Sequence, residues 1–249
     1  MIPFSVRGWS AWAHGIQSSD DWLRWASAPV APRPGGAPEL KFIPAMVRRR
    51  FSRLSKLALH VAFDATPPEL LVDVCSVFAS RHGESNACVA LLSDIARQTP
   101  ISPTSFSHSV HNTQGGLFSI AAGNGRISSS IAAEKNTFCA GLIEALGICE
   151  RARPRPTLLV LADEPRPEMF SAFEDELPCA FALALLIESG VGSGAPGFRM
   201  EITGPCPMTS DSSPRLPQAL EFLAWMLAGD RELVLPYGRR SWRFQRERL

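Results

Sequence analysis

The sequence predicts an α/β fold, a layered mixed β-sheet flanked by helices, on three observations. Leu70–Ser80 (LLVDVCSVFAS) and Thr157–Ala162 (TLLVLA) are continuous apolar runs, the mark of strands buried on both faces. Segments with apolar residues at helical spacing alternate with such runs. The connections between them are short, as in layered α/β proteins.

The chain has 249 residues, 45% of them apolar and 20% charged, which is enough for a sizeable core and excludes disorder as the dominant state. One domain over residues 1–249 is expected. A formal charge of +1 gives no global reason to expect nucleic acid or an anionic membrane as a partner, so any electrostatic role falls to local arginine clusters. The six cysteines (Cys75, Cys88, Cys139, Cys149, Cys179, Cys206) are scattered, with no CxxC pair and no histidines at zinc spacing. They read as buried reduced thiols, and no metal is expected. The opening MIPFSVRGWSAWAHG lacks the basic and apolar regions of a signal peptide. Cys179–Ile187, the longest apolar run, is too short for a span of ~20 residues, so a cytoplasmic protein is expected.

Residues 2–16 read as an opening strand carrying Phe4, Trp9 and Trp12, and Ser18-Ser19-Asp20 caps a short helix over Asp21–Ala26. After the loop Pro29–Pro38, Met46–Phe63 forms one amphipathic basic helix. Its apolar positions are Val47, Leu54, Leu57, Ala58 and Val61, and Arg48, Arg49, Arg50, Arg53 and Lys56 spread over the rest. That basic face is either simply solvated or a docking patch for an acidic partner. Arg81-His82-Gly83 ends the strand Leu70–Ser80, and Glu84–Gln98 is the next helix. His82 and Glu84 are either an acid/base pair or parts of a structural turn.

Pro103 opens a helix that runs to a Gly123-Asn124-Gly125 turn, followed by strand Ile127–Ala133 and helix Thr137–Glu150. The corner between the last two holds Glu134, Lys135 and Asn136. Strand-to-helix corners suit nucleophiles because the helix N-terminus offers free N–H groups and a positive dipole end, yet no Cys or Ser stands at this tip. Arg151–Pro156 is a stiff connector. Asp163-Glu164, closing strand Thr157–Ala162, could touch a metal or ribose, but no glycine fingerprint precedes them, and GVGSGAPG at Gly190–Gly197 lacks the ending of a phosphate loop. No cofactor is expected. Ala180–Ile187 and Phe198–Ile202 are strands, and Leu216–Ala228 is a final amphipathic helix with Leu220, Leu223, Ala224 and Leu227 on one face. The basic tail from Tyr237, with Trp242 and Phe244, is a terminal strand or partner-binding tail in preference to a stacking surface for single-stranded nucleic acid.

Val110-His111-Asn112, Gly116, Ser119-Ile120, Gly123, Ser130-Ile131-Ala132 and Ala140-Gly141-Leu142 follow one another in an order that resembles the N-terminal half of β-ketoacyl-acyl-carrier-protein synthases. SVFASRHGE, LSD, SPTSFSHSVHN, GGLFSIAAG and TFCAGLIEAL further resemble the short ketoacyl-synthase-like proteins that accompany aryl polyene and related pathways. The resemblance covers nearly the whole chain and implies a thiolase-like half-fold. It places the family's nucleophilic Cys at the corner, at Lys135 by ungapped counting from Asn112 or at Glu134 with a one-residue shift. The family's partner histidines belong to the second half of a synthase; nothing after Leu146 resembles them, and all five histidines here precede the corner.

The resemblance therefore implies no catalytic residue and no condensation by this chain alone. Cys139 lies one helical turn beyond Lys135 and should point into the core. What is implied instead is a chain-length-factor-like subunit that pairs with a full-length ketoacyl synthase and caps its acyl tunnel. Phe106, His111, Asn112, Phe118 and Phe138 would then serve the interface, and Arg48, Arg49, Arg50 and Arg53 would dock an acyl carrier protein. The alternative is a stand-alone acyltransferase, thioesterase or decarboxylase using Cys139, Glu134 or a histidine.

Overall fold

A computed structural model describes residues 1–152, 155–191, 194–204, 214–237 and 240–247. β1 (Ile2–Ala13) ends before the predicted residue 16, because a tight turn at Gly15 brings Ile16 back onto Ala13. α1 (Ser19–Ala26) starts two residues before the predicted Asp21 and ends where the sequence predicts. The Asp21 amide donates to Ser18 Oγ while the Ser18 amide donates back to the Asp21 carboxylate, a reciprocal cap, and Trp22 and Trp25 face the core.

The single basic helix predicted over Met46–Phe63 is in fact two, α2 (Ala45–Arg48) and α3 (Arg53–Ala65). Ser52 breaks it: its hydroxyl accepts from the Ser55 amide and so caps α3, and the preceding Phe51 turns inward. The apolar face of α3 lies on the sheet, as the spacing predicts. The strand predicted from Leu70 begins only at Cys75, since Pro67 and Pro68 start a 3-10 turn at Pro68–Leu70; β2 is Cys75–Ala79. Asn124 fixes that turn, its Nδ2 donating to the Leu71 and Val74 carbonyls at 2.7 and 2.9 Å.

α4 (Ser85–Ala96) matches its prediction. The helix expected from Pro103 to the glycine turn is broken into α5 (Pro103–Ser107) and α6 (Thr113–Ala122). His111 and Asn112 therefore sit in the connection rather than on a helix face. Gly123, at φ 64°, closes α6 in the left-handed conformation that glycine favours. Then follow β3 (Ser128–Ile131), α7 (Thr137–Ala152), β4 (Thr157–Asp163), β5 (Phe181–Ser189), β6 (Gly197–Thr203), α8 (Gln218–Ala228), β7 (Glu232–Tyr237) and β8 (Arg240–Arg246).

The strands form one mixed sheet in the order β3-β2-β4-β5-β1-β6-β8-β7. β3, β2 and β4 run parallel, and the pairings from β4 onward are antiparallel. Helices cover both faces. On one face α3 and α6 enclose a core that includes Phe118; on the other α7 and α8 enclose a larger one that includes Phe138. Gly141 lets α7 lie close to the sheet, because a Cβ there would meet Ala79 Cβ and Leu159 Cδ1, each at 3.1 Å.

Two expectations change here. Phe118 stacks on Phe63 and Phe78, and Phe138 on Phe222 and Phe244, so both belong to the chain's own core and not to an interface. The basic tail is the second strand of a hairpin, with Trp242 at 5% and Phe244 at 0% exposure, so these rings are not free to stack on nucleic acid bases. Of the cysteines, Cys75, Cys139, Cys149 and Cys179 are buried and Cys88 is half-buried, all as free thiols, while Cys206 lies outside the described residues. Among the described residues no helix is long and apolar enough to cross a membrane.

Candidate functional site

The corner between β3 and α7 is a short 3-10 turn over Glu134–Asn136. Glu134 sits at φ 50°, in the left-handed region that costs a non-glycine residue roughly 1–2 kcal/mol. Thr137 holds it there: its hydroxyl accepts from the Ala133 amide at 3.0 Å and donates to the Glu134 carbonyl at 2.7 Å. A strained residue at the tip of a strand-to-helix turn is the geometry of a nucleophile elbow. Here the tip presents a carboxylate.

The next two side chains are tied to other parts of the molecule. Lys135 Nζ pairs with Asp175 at 3.1 Å. Asn136 Oδ1 accepts from Trp242 Nε1 at 3.4 Å and from Gln218 Nε2 at 3.5 Å, joining the corner to α8 and β8. Glu134 itself is exposed at the head of a groove of about 600 Å³, lined also by Ala140, Ile143, Ile202 and Trp242. Cys139, one turn along α7, is fully buried, and burial pushes its thiol well above the ordinary range. It faces the core, as its spacing predicts.

Behind the corner lies an ion network that gives no sign of itself in the sequence. Arg81, just past β2, reaches Asp175 at 2.9 Å and Glu176 at 2.8 Å, and Arg166 reaches Asp175 at 3.3 Å. Burial pushes the Asp175 carboxyl up, but the hydrogen bonds and charges of Arg81 and Lys135 outweigh it and hold the group at about 2. Burial, with the charges of Arg81 and Arg166, lowers His82 to about 4, so its imidazole is neutral at physiological pH.

Asp163 anchors this network from below. It is half-buried at the end of β4 and accepts from Ser80 Oγ at 2.7 Å, the Arg81 amide at 2.9 Å and the His82 amide at 3.0 Å. Burial raises its pKa while those donors pull it back. Its neighbour Glu164 pairs with Arg53. The metal or ribose reading of Asp163-Glu164 therefore gives way to a structural one, and no metal-holding cluster occurs among the described residues. His82 and Glu84 do not form an acid/base pair either. Glu84 is buried against Ser52 Oγ, Ser55 Oγ and Gln114 Nε2, at 2.7, 3.1 and 2.8 Å, and burial raises its pKa.

The remaining sequence-predicted residues scatter. His111 Nε2 donates to the Ser80 carbonyl at 3.0 Å, with its ring against Gly83. Asn112 is exposed just before α6, and Phe106 is 64% exposed on α5. Arg48 donates to the Leu40 carbonyl and Arg53 pairs with Glu164, while Arg49 and Arg50 are exposed. The structure brings together only the corner residues; the basic and aromatic candidates are elsewhere.

The profile described as "Beta-ketoacyl synthase, N-terminal domain" matches residues 22–245. No curated protein sequence matches the chain significantly. Among solved structures, a chain of the ketosynthase (ApeO) in complex with its chain length factor (ApeC) from Xenorhabdus doucetiae is 29% identical, with 99% of this chain and 100% of that chain covered at a TM-score of 0.83. A chain of the AntDE:AntF complex, a type II polyketide carrier protein with its ketosynthase, is 9% identical, with both chains covered fully at 0.67. A β-ketoacyl synthase from Burkholderia phymatum is 13% identical, with 92% of this chain and 71% of that chain covered at 0.57. The last two share the fold, which is the thiolase-like half-fold that the motifs imply. With the family profile spanning nearly all of the sheet and its helices, the chain belongs to the β-ketoacyl synthase N-terminal domain family.

Proposed function

We propose that this chain acts as a non-catalytic, chain-length-factor-like subunit, a single domain that pairs with a full-length β-ketoacyl-acyl-carrier-protein synthase and caps its acyl tunnel. The observation that carries the reading is the corner itself, where an elbow-like turn holds Glu134, Lys135 and Asn136 and no Cys or Ser stands at its tip. Glu134 rather than Lys135 stands in the nucleophile's place, because Glu134 carries the left-handed φ at the tip and Lys135 is tied to Asp175. A carboxylate cannot hold a carrier-derived acyl group as a thioester, and the nearest thiol on α7 is enclosed. Likeness to a ketosynthase–chain length factor complex supports the same reading.

β3 offers a way to pair. It bonds to β2 on one side only, so its other edge is open. Ile120 on α6 is 82% exposed and Ile127, just before β3, is 49% exposed, giving that edge an apolar border. Phe106 and Asn112, also exposed, are assigned to the rim of this surface, and His111 positions their loop.

Intact-mass spectrometry tests the assignment. The synthase and this chain are incubated together with malonyl- and acyl-loaded carrier protein. The acyl adduct is expected on the synthase alone. An adduct at Cys139, or release of free acid that disappears in Glu134→Gln, would replace the accessory reading with that of an independent enzyme.

A further inference from the structure

α8 begins directly after Pro217, which has no side-chain oxygen to cap it. The Leu220 and Glu221 amides turn back to the Pro217 carbonyl at 2.8 and 3.1 Å, while the Gln218 and Ala219 amides have no carbonyl within the helix to reach. These two residues line a cavity of about 20 Å³ at the corner, together with Lys135, Thr137 and Phe138. One water molecule needs roughly 10–15 Å³ of such space.

The Gln218 side chain is 8% exposed. Its Nε2 donates to the Pro236 carbonyl at 3.1 Å and to Asn136 Oδ1 at 3.5 Å. A carbonyl only accepts, so the nitrogen must face Pro236 and the amide cannot be turned round. Gln218 Oε1 is then a buried acceptor to which no described residue donates. Leaving such a group unpaired costs about 1–3 kcal/mol. An occupant of the cavity must therefore both donate, to Oε1, and accept, from the first amides of α8.

Charge narrows the class further. Helix N-termini attract anions, but Glu134, Asp163 and Glu176 line the same cavity. Its two cations are already committed, Arg81 to Asp175 and Glu176, and Lys135 to Asp175. An anion would meet three carboxylates without a spare counter-charge. A small neutral molecule meets no such penalty.

We propose that this cavity is a binding site for a single ordered water, held by Gln218 Oε1 and the first amides of α8. The bound water fixes the Gln218 amide, and Gln218 in turn positions Asn136, the residue that joins the corner to β8 through Trp242. The site is independent of the accessory-subunit reading.

The test uses the full chain. A high-resolution crystal structure is expected to show one water within hydrogen-bond distance of Gln218 Oε1, and crystals soaked in bromide are expected to show no anomalous peak there. A cavity filled by a protein side chain, or by bromide in the water's place, overturns the proposal. In solution, an Overhauser contact between the Ala219 amide and a long-lived water is expected in the wild type, and its absence would count equally against the site. Gln218→Met keeps the side chain's length and removes both its acceptor and its donors. Deuterium exchange over residues 133–139 is expected to become about tenfold faster in this variant, while exchange in α3 stays as in the wild type. Corner exchange no faster than in the wild type overturns the positioning role of Gln218.

Discussion

Asp163→Ala is expected to destabilise the chain by about 3 kcal/mol or more, as a lower urea midpoint with an unchanged slope. The carboxylate is half-buried, and the Ser80 hydroxyl and the Arg81 and His82 amides all point at it. Alanine would leave those donors buried without an acceptor. It would also remove a negative charge from beside Arg81, the residue that holds Asp175 and, through it, Lys135 at the corner. Asp163→Asn should be no rescue. Both carboxylate oxygens accept, so one donor would meet the amide NH₂ instead. A loss below about 1 kcal/mol for the alanine variant would show that the network does not depend on this anchor.

Ser130→Pro combined with Ile120→Asp is expected to abolish pairing with the synthase while leaving the fold intact. The Ile127 and Ile131 carbonyls accept from the Ser76 and Ser80 amides of β2. Strand alternation then directs the amides of Ser128 and Ser130 to the open edge. Proline at 130 removes an outward N–H without touching the β2 ladder, and an aspartate on the exposed Ile120 puts an unpaired charge into any apolar contact there. Size-exclusion co-elution should be lost, corresponding to roughly a hundredfold weaker association, or about 2.7 kcal/mol. Wild-type co-elution by this variant would place the interface elsewhere on the molecule.

Much of the fold was legible because periodicity and local chemistry agree. Ser18 and Asp21 announce α1, the apolar run of β4 announces a central strand, and the spacing of Cys139 from the corner fixes its inward direction. The helix breaks were not legible. Arginine and valine near residues 46–50 are acceptable in a helix, and only the capping by Ser52 and the burial of Phe51 end α2. Phe118 and Phe138 were misplaced at an interface for a related reason, since sequence spacing does not say which faces α8 and α3 cover. The Arg81, Lys135, Arg166 and Asp175 network draws on three separate connections with no common period. The register at the corner stayed open between Glu134 and Lys135 because a one-residue shift leaves the motif intact; the left-handed φ of Glu134, on which the proposed preference for that residue rests, has no sign in the sequence.

We infer that a corner with no Cys or Ser at its tip marks this chain as a partner and not a condensing enzyme. Elongation of carrier-bound acyl chains by the full-length synthase, measured with and without this chain and read as product length by mass spectrometry, tests it most directly. Omitting the chain is expected to remove elongation or its length selectivity, and Cys139→Ala added back is expected to restore both as well as wild type does. A synthase equally active and equally length-selective in the absence of this chain would contradict it.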